Sequence, residues 1–253
     1  MFAIAIGLAV DALRGSWRWG WIVELLLATV LLAQRSLFDH VRRVAIALKN
    51  EGLTGGRRAV ALIVGRDPET LDASAVARAA IESCAESFCD GVVGPVFWYM
   101  LAGLPGLLAV KTVNTMDSMI GHRNAHYRDF GMVAARLDDV MMLLPARLAG
   151  LLLCLAAAFV PKGRPDRALA VMWRDHGKHA SPNAGWPEAA MAGAFDLRLG
   201  GPRRYGGEVH AAPWIGNGRV VATPADIHAA LMLLAVACLI EAGLAVLFVR
   251  GLG

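Results

Sequence analysis

The sequence has 253 residues, of which 57% are hydrophobic and only 18% are charged, and its mean hydropathy is +0.50. A soluble domain averages about 45–50% apolar and about 25% charged residues, so the composition argues against an ordinary soluble chain. The net charge is +4, but basic residues alternate with acidic ones and form no stripe interleaved with aromatics. We therefore expect no nucleic-acid partner.

Runs without charge predict membrane-embedded helices, because about 20 apolar residues span a bilayer core of about 30 Å. Residues 91–110 contain no charged residue, and two other runs contain one acid each, Glu24 and Glu241. The sequence predicts an all-α integral membrane protein with about four to five membrane-embedded helices and polar helical loops. The apolar stretches are residues 1–10 (too short alone to span), 21–34, 91–110, 140–144 with 148–160, and 229–249.

The first polar segment ends in a predicted helix that Asp72 would cap and that would run to about Asp90. Glu82, Glu86 and Asp90 recur every four residues, so they would share one helix face. Like charges at this spacing repel, and a bound cation would offset the repulsion. A solvated face whose acids pair with nearby basic groups is the alternative, and both interpretations stay open.

The uncharged run at residues 91–110 contains two helix-breaking sequences, Gly94-Pro95 and residues 103–106. Proline removes a backbone donor and kinks a helix. The run is therefore either a single crossing or two short helices that form a re-entrant hairpin.

Residues 111–139 carry a second group of candidate functional residues. Asn114 and Asp117 are three apart and would share a helix face, and Asp138 and Asp139 stand just before an apolar run. Carboxylate and amide oxygens suit Mg²⁺, which retains water and binds beside phosphates. Paired charges at a membrane surface are the alternative.

The later loop contains two segments that could contact phosphate. In residues 181–188, Pro187 suits the first position of a helix, whose free N–H groups would attract an anion. In residues 199–208, the glycines allow close backbone approach, and Arg203 and Arg204 could fork onto a phosphate. A plain structural loop is the alternative for both.

These motifs, in this order, resemble adenosylcobinamide-phosphate synthase, the CobD/CbiB family of cobalamin biosynthesis. The resemblance covers nearly the whole chain, and several motifs in register make it specific. The motifs are Ser36-Leu37 with Asp39-His40-Val41, Glu82-Ser83-Cys84-Ala85-Glu86 through Asp90-Gly91-Val92-Val93, Val113-Asn114-Thr115-Met116-Asp117-Ser118-Met119, Tyr127-Arg128-Asp129-Phe130-Gly131, Ala135-Arg136-Leu137-Asp138-Asp139, residues 181–190, and Gly200-Gly201 with Tyr205-Gly206-Gly207.

The resemblance implies an ATP-dependent amide ligation in a membrane. The ring propionate of adenosylcobyric acid would be activated, as an acyl phosphate, and the amine of (R)-1-amino-2-propanol or its O-phosphate would attack it. It also implies Mg²⁺ with ATP, a multi-pass location in the cell inner (plasma) membrane, and other late-step cobalamin enzymes as candidate partners. The whole of residues 1–253 would form one CobD/CbiB-like membrane domain.

The site residues expected for this chemistry fall into three groups. The catalytic candidates are Glu82, Glu86, Asp90 and Asp117. The candidates for substrate or phosphate contact are Asn114, Arg128, Arg136, Asn183, Arg203 and Arg204. The metal-ligand candidates are Asp138 and Asp139.

The chain departs from the family pattern in two respects. It begins beyond a segment that usually carries Gly-Asp-Pro and His-Pro motifs, so we expect an N-terminally shortened form. It also has Ser87 where the family often has Asn, and Cys89 where it often has Ser. A non-catalytic AmpE-like membrane sensor or interaction protein is the alternative function, and a transporter with broken helices ranks last because polar motifs cluster in loops.

Overall fold

The computed structural model describes residues 2–17, 19–120, 128–205 and 208–251, although the side chains of residues 2, 13–16, 120, 128–130, 203–205 and 208–210 lie outside this description. The α-helices are α1 Phe2–Ser16, α2 Gly20–Leu31, α3 Gln34–Asn50, α4 Gly52–Val60, α5 Ala73–Phe88, α6 Gly94–Ile120, α7 Arg128–Met141, α8 Leu143–Ala156, α9 Pro165–Asp175, α10 Gly185–Ala194 and α11 Pro224–Gly251. A π-helix covers Cys89–Val93, and single 3-10 turns cover Pro68–Thr70, Ala157–Phe159 and His176–Lys178. Short antiparallel strands pair β1 Leu199–Gly200 with β4 Trp214–Ile215, and β2 Arg203–Tyr205 with β3 Glu208–His210.

Three helical stretches are long and apolar enough to cross a membrane, namely Gly20–Asn50, Ala73–Met119 and Pro224–Gly251. The helices Gly131–Met141 and Leu143–Phe159, bent by 50° at their junction, complete a fourth crossing if they act as one span. The prediction of an all-α integral membrane protein is confirmed. By length and composition, the described part of the chain contains three or four crossings, and the short apolar helix Ala3–Ala12 adds a further candidate for embedding.

The chain forms two compact units. The first unit comprises Met1–Gln34 and Asp90–Pro145, and the second comprises Arg35–Cys89 and Ala146–Gly253. The predicted single domain over residues 1–253 stays a prediction.

Small and polar residues bring the helices of the first unit together. A Cβ atom placed on Gly7 of α1 would lie 2.6 Å from the Pro105 Cα of α6, so only a hydrogen fits at this contact. Small residues allow this kind of close backbone approach between membrane helices. Glu24 of α2 is buried, and its Oε1 accepts a hydrogen bond of 2.7 Å from the Tyr99 hydroxyl of α6. This bond gives the acid a partner within an otherwise apolar helix.

Helix α6 bends at one of the two predicted interruptions. Ala102 and Gly103 leave helical geometry, and Gly103 has a φ of +60°, a value that glycine adopts at little cost. Pro105 follows two residues later and lacks the N–H that a continuous helix would need. Gly94 and Pro95 instead begin the helix, where proline is tolerated in the first turn.

The helix predicted after Asp72 is confirmed. The Asp72 Oδ1 accepts a hydrogen bond of 2.6 Å from the Ala75 N–H at the start of α5, as an N-cap residue does. Regular α-helix ends at Phe88, and the π-helix Cys89–Val93 follows it. Asp90 therefore lies in a turn of different pitch from the helix that carries Glu82.

Helix α10 forms the centre of the second unit, since every one of its residues is buried. It consists largely of alanine and glycine, which allow neighbouring backbones to approach. A Cβ atom on Gly193 would lie 2.5 Å from the Arg167 carbonyl oxygen of α9. On α8, a Cβ atom on Gly150 would lie 2.7 Å from the Met172 Sδ of α9.

A buried carboxylate at the end of α9 holds a distant loop. Asp175 has no exposed surface, and its two oxygens accept hydrogen bonds of 2.7 Å each from the Arg174 guanidinium. Lys178 Nζ lies 2.9 Å from Oδ1, and the Gly216 N–H donates to Oδ2 at 2.7 Å. Burial opposes ionisation of Asp175, but these donors outweigh it and hold the pKa of the carboxyl well below its usual range.

The Gly7 contact can be tested by substitution. We expect Gly7→Ala to destabilise the protein by about 1–3 kcal/mol, because the added methyl must displace the backbone at Pro105. Thermal unfolding of the purified protein in detergent measures the effect. Gly243→Ala in α11 is the matched control, since no atom lies within 4 Å of a Cβ added there. Equal unfolding temperatures for the two variants would contradict the packing described.

Asp175 predicts an acid-sensitive contribution to stability. Because its pKa is lowered in the folded state, its stabilisation is present above the ordinary carboxyl pKa of about 4 and is lost as the pH falls through the folded value. We expect Asp175→Asn to lower the unfolding temperature most at neutral pH, with the difference from wild type shrinking in acid. Unfolding scans of both proteins across the acid range measure this difference, and a constant difference would contradict the assignment.

Candidate functional site

The first unit brings three predicted residues and Lys111 to one region of α6, α7 and the π-helix. The Asn114 Nδ2 donates a hydrogen bond of 3.4 Å to the Asp138 Oδ1, which joins α6 to α7. The carboxylate of Asp90 interacts electrostatically with the ammonium of Lys111, one turn before Asn114. All four side chains are half-buried, so they remain within reach of solvent or a ligand. We call these four residues the α6–α7 cluster.

Three further predicted residues flank the α6–α7 cluster along its helices. Asp117 lies one turn beyond Asn114 on α6 and is half-buried. On α7, exposed Arg136 and half-buried Asp139 stand on either side of Asp138, and Arg136 interacts electrostatically with Asp139. The segment thus presents carboxylates, one amide group and cations on α6 and α7.

The predicted stripe of acids on α5 is divided between different surroundings. Glu82 is buried, Glu86 is exposed, and Asp90 lies in the π-helix within the first unit. Regular α-helix ends at Phe88, so Asp90 lies in a π-turn and not in α5 itself. That the three carboxylates share one face stays a prediction, although Glu82 and Glu86 differ in burial.

Glu82 is engaged inside the second unit. Its Oε2 pairs with the Arg66 guanidinium, and its Oε1 accepts a hydrogen bond of 2.8 Å from the Gly200 N–H. Gly200 and the next residue, Gly201, have φ values of +72° and +78°. A Cβ atom on Gly201 would lie 2.6 Å from the Trp214 ring. Gly201 therefore makes room for the Trp214 ring, whereas the sequence had suggested that the glycines make room for a ligand.

The helix predicted near Pro187 begins two residues earlier, at Gly185. The Ser181 hydroxyl accepts hydrogen bonds from the N–H groups of Asn183 and Ala184, at 3.2 and 3.4 Å. Asn183 is buried, as is Glu188, whose Oε1 lies 3.7 Å from the His179 Nε2. Two of the N–H groups that would bind an anion in this turn therefore already donate to the Ser181 hydroxyl.

An aromatic cluster beside this loop was not predicted. The His176 ring stacks on Trp186 with 3.9 Å between centroids, and Trp173 packs edge-on to Trp186 at 5.2 Å. The guanidinium of Arg147 lies 4.7 Å from the Trp186 centroid, close enough for a cation–π interaction. The one indication of this contact in the sequence is that Arg147 lies within an apolar run, where a charged side chain needs a partner.

Two other important residues, Arg66 and Asp175, were also not predicted from the sequence. Their partners Glu82 and Gly216 are 16 and 41 residues away in the chain, so no local spacing marks them. The side chains of Arg128, Arg203 and Arg204 lie outside the described residues, although their backbones belong to α7 and β2. The motif residues 121–127 lie outside the description as well.

The donor atoms of the α6–α7 cluster fit a magnesium ion that arrives with a nucleotide. Within the described ranges, no group of three or more His, Cys, Asp or Glu side chains is arranged to hold a metal ion. Mg²⁺ bound to nucleotide phosphates needs only one or two protein carboxylates, because water and phosphate fill the remaining positions. Asp138 with Asn114 supplies oxygen ligands of this kind.

Comparisons with known proteins place the chain in a family. The family described as CobD/Cbib protein matches residues 1–234. A "Cobalamin biosynthesis protein CobD" from Sinorhizobium sp is 58% identical over 227 residues, covering 88% of this chain and 70% of the relative. Proteins of the same name from Brucella anthropi and Rhodobacter capsulatus are 53% and 49% identical, over 92% and 91% of this chain and 72% of each relative.

No solved structure matches this chain. The family match spans most of the sequence, and the identities lie well above those of a chance or fold-level likeness. The chain therefore belongs to the CobD/Cbib protein family, a family of cobalamin biosynthesis.

Proposed function

We propose that this chain is a membrane ligase of cobalamin biosynthesis that joins an aminopropanol to a corrinoid acid. The substrates would be ATP, adenosylcobyric acid, and (R)-1-amino-2-propanol or its O-phosphate. Family membership supports the pathway, and the α6–α7 cluster supports phosphoryl and acyl transfer. The crossing helices would hold the protein in the inner (plasma) membrane, where other late-step cobalamin enzymes are candidate partners.

The hydrogen bond between Asn114 and Asp138 is the observation on which the proposal depends most. It fixes one carboxylate and one amide on neighbouring helices of the first unit, with Lys111 one turn away. Carboxylates and a cation held in one region suit phosphoryl transfer, since that reaction is catalysed mainly by positioning and charge stabilisation. Half-burial leaves the groups accessible while reducing the screening of their charges.

The proposed reaction has two steps, activation of the acid and attack by the amine. A propionate oxygen attacks the γ-phosphorus of ATP, the bond to the β-phosphate oxygen breaks, and ADP leaves. The amine nitrogen then attacks the acyl carbon, phosphate leaves with its bridging oxygen, and a base takes the nitrogen's proton. Asp117 is the base candidate in the first unit, because it is half-buried and lies one turn from Asn114.

Mg²⁺ and ATP have distinct residues to hold them. Asp138 would ligate the ion, and Asp90 and Asp139, which the sequence also predicted as site residues, are further candidate ligands. The bound ion would neutralise phosphate charge. Lys111 and Arg136 would contact phosphate oxygens, as ammonium and guanidinium groups do. Glu86, which is exposed, stays a candidate for general-base chemistry in the second unit.

Complementation tests the proposed activity. In a bacterial strain blocked at this cobalamin step, we expect growth without added corrinoid when the family protein is supplied, either as these 253 residues or with upstream coding sequence in frame. Asp138→Ala should lower the ligation rate by about 100-fold or more, because it removes a preorganised charge from the reacting region. Growth rate and chromatographic measurement of the amide product report the result.

The matched control is Asp166→Ala, which removes an exposed acid of α9 far along the chain from the α6–α7 cluster. It should grow like wild type at equal protein level. Absence of growth with both well-expressed forms of the wild type would reject the ligase in favour of a non-catalytic role. Full activity of Asp138→Ala would reject the α6–α7 cluster as the reacting region.

Metal dependence gives a separate test of the same residues. Chelation should abolish ligation by the purified protein, and Mg²⁺ should restore it. We expect Asp138→Asn to raise the Mg²⁺ concentration needed for half-maximal rate by about tenfold or more, because an amide binds a hard cation less strongly than a carboxylate. Titration of the initial rate with Mg²⁺ at saturating ATP measures the shift. An unchanged Mg²⁺ requirement would remove Asp138 from the metal ligands.

A further inference from the structure

The buried pair of Arg66 and Glu82 lies in the second unit, where the proposed chemistry does not use it. The exposed fractions of the two side chains are only 10% and 4%. A buried ion pair is costly to desolvate and survives only when further hydrogen bonds satisfy its remaining atoms. The Gly200 N–H supplies such a bond to Glu82, across 118 residues of sequence. Both oxygens of this carboxylate therefore have protein partners.

The segment that Glu82 contacts is a narrow turn with little structure of its own. Strand β1 contains two residues and pairs with β4 only through Leu199 and Gly200. Positive φ values at Gly200 and Gly201 turn the chain away from β1 toward β2, which begins at Arg203. The position of the Gly200 backbone therefore determines where strand β2, with its two arginines, begins.

Helix α5 also holds the far end of this segment. Ser74 Oγ accepts a hydrogen bond of 2.9 Å from the Ala222 N–H, and Arg78 donates to the Val220 carbonyl at 2.7 Å. Arg78 also lies 5.5 Å from the centroid of the Trp214 ring. One face of α5 thus carries contacts to both ends of residues 200–222, and Glu82 makes the contact nearest to β2.

We propose that Glu82 is a positioning residue, which with Arg66 fixes Gly200 and so sets the place of the Arg203–Tyr205 strand. This role differs from the catalytic role that the sequence suggested for Glu82. A general base must reach the substrate proton that it accepts, and a metal ligand must turn an oxygen toward the ion. A carboxylate held between a guanidinium and a backbone N–H in the protein interior does neither without breaking those contacts.

Two double variants separate positioning from chemistry. Glu82→Gln with Arg66→Met removes the charge pair but keeps an amide oxygen that can accept from the Gly200 N–H. Glu82→Met with Arg66→Met removes the same charges and the acceptor too. Hydrogen–deuterium exchange of the full chain in nanodiscs, read on a peptide covering residues 197–205, reports the anchor without reference to any activity. Thermal unfolding of both variants reports overall folding.

We expect the Gln–Met variant to keep exchange in residues 197–205 close to wild type, and the Met–Met variant to exchange about tenfold faster there. The role in ligation rests on the proposed function. If the chain is a ligase, the Gln–Met variant should stay within about tenfold of wild-type rate, while the Met–Met variant should fall by about 100-fold with a raised KM for ATP.

Two results would overturn the inference. Equal exchange of residues 197–205 in both double variants would show that Glu82 does not hold this turn. Loss of ligation in the Gln–Met variant with native exchange would show that the carboxylate itself acts in the chemistry. Absence of ligation by the wild-type protein would reject the proposed function alone, since the exchange comparison still decides whether Glu82 is the anchor.

Discussion

Irregular backbone inside a largely apolar chain must find hydrogen-bond partners, and the second unit depends on how its helices supply them. The described residues between 195 and 223 form only short strands, so many of their N–H groups have no partner in regular secondary structure. Three of these groups are met by side chains of α5 and α9: Glu82 accepts from Gly200, Asp175 from Gly216, and Ser74 from Ala222. The helices thus hold the segment through backbone atoms.

The same bonds explain why charged residues tolerate burial here. Neither Glu82 nor Asp175 has appreciable exposed surface, and each combines a cation with a backbone N–H from the segment. Removing water from a carboxylate is costly, and a cation alone rarely repays that cost. The two acids therefore need the N–H groups of the loop in order to stay buried, and the loop needs the two acids to accept hydrogen bonds from those N–H groups.

Local features of the fold were readable from the sequence because their causes are local. Asp72 caps α5 through a residue three positions away, and Gly103 with Pro105 kinks α6 within its own turn. The candidate site was only partly predictable. The Asn114–Asp138 bond joins two segments that the sequence had flagged separately, but the contact itself needed the fold. The π-helix that carries Asp90 has no clear sequence signature, and the different burial of Glu82 and Glu86 depends on what packs against α5.

Burial and partners now distinguish carboxylates that the sequence treated alike. A group that performs acid–base or metal chemistry needs access to its substrate or ligand. Asp117 and Asp138 are half-buried in a region that also offers a lysine and an amide, whereas Glu82 is enclosed between Arg66 and Gly200. We therefore place the reacting groups of the proposed ligase in the first unit, while Glu82 and Asp175 of the second unit hold the backbone of Gly200 and Gly216.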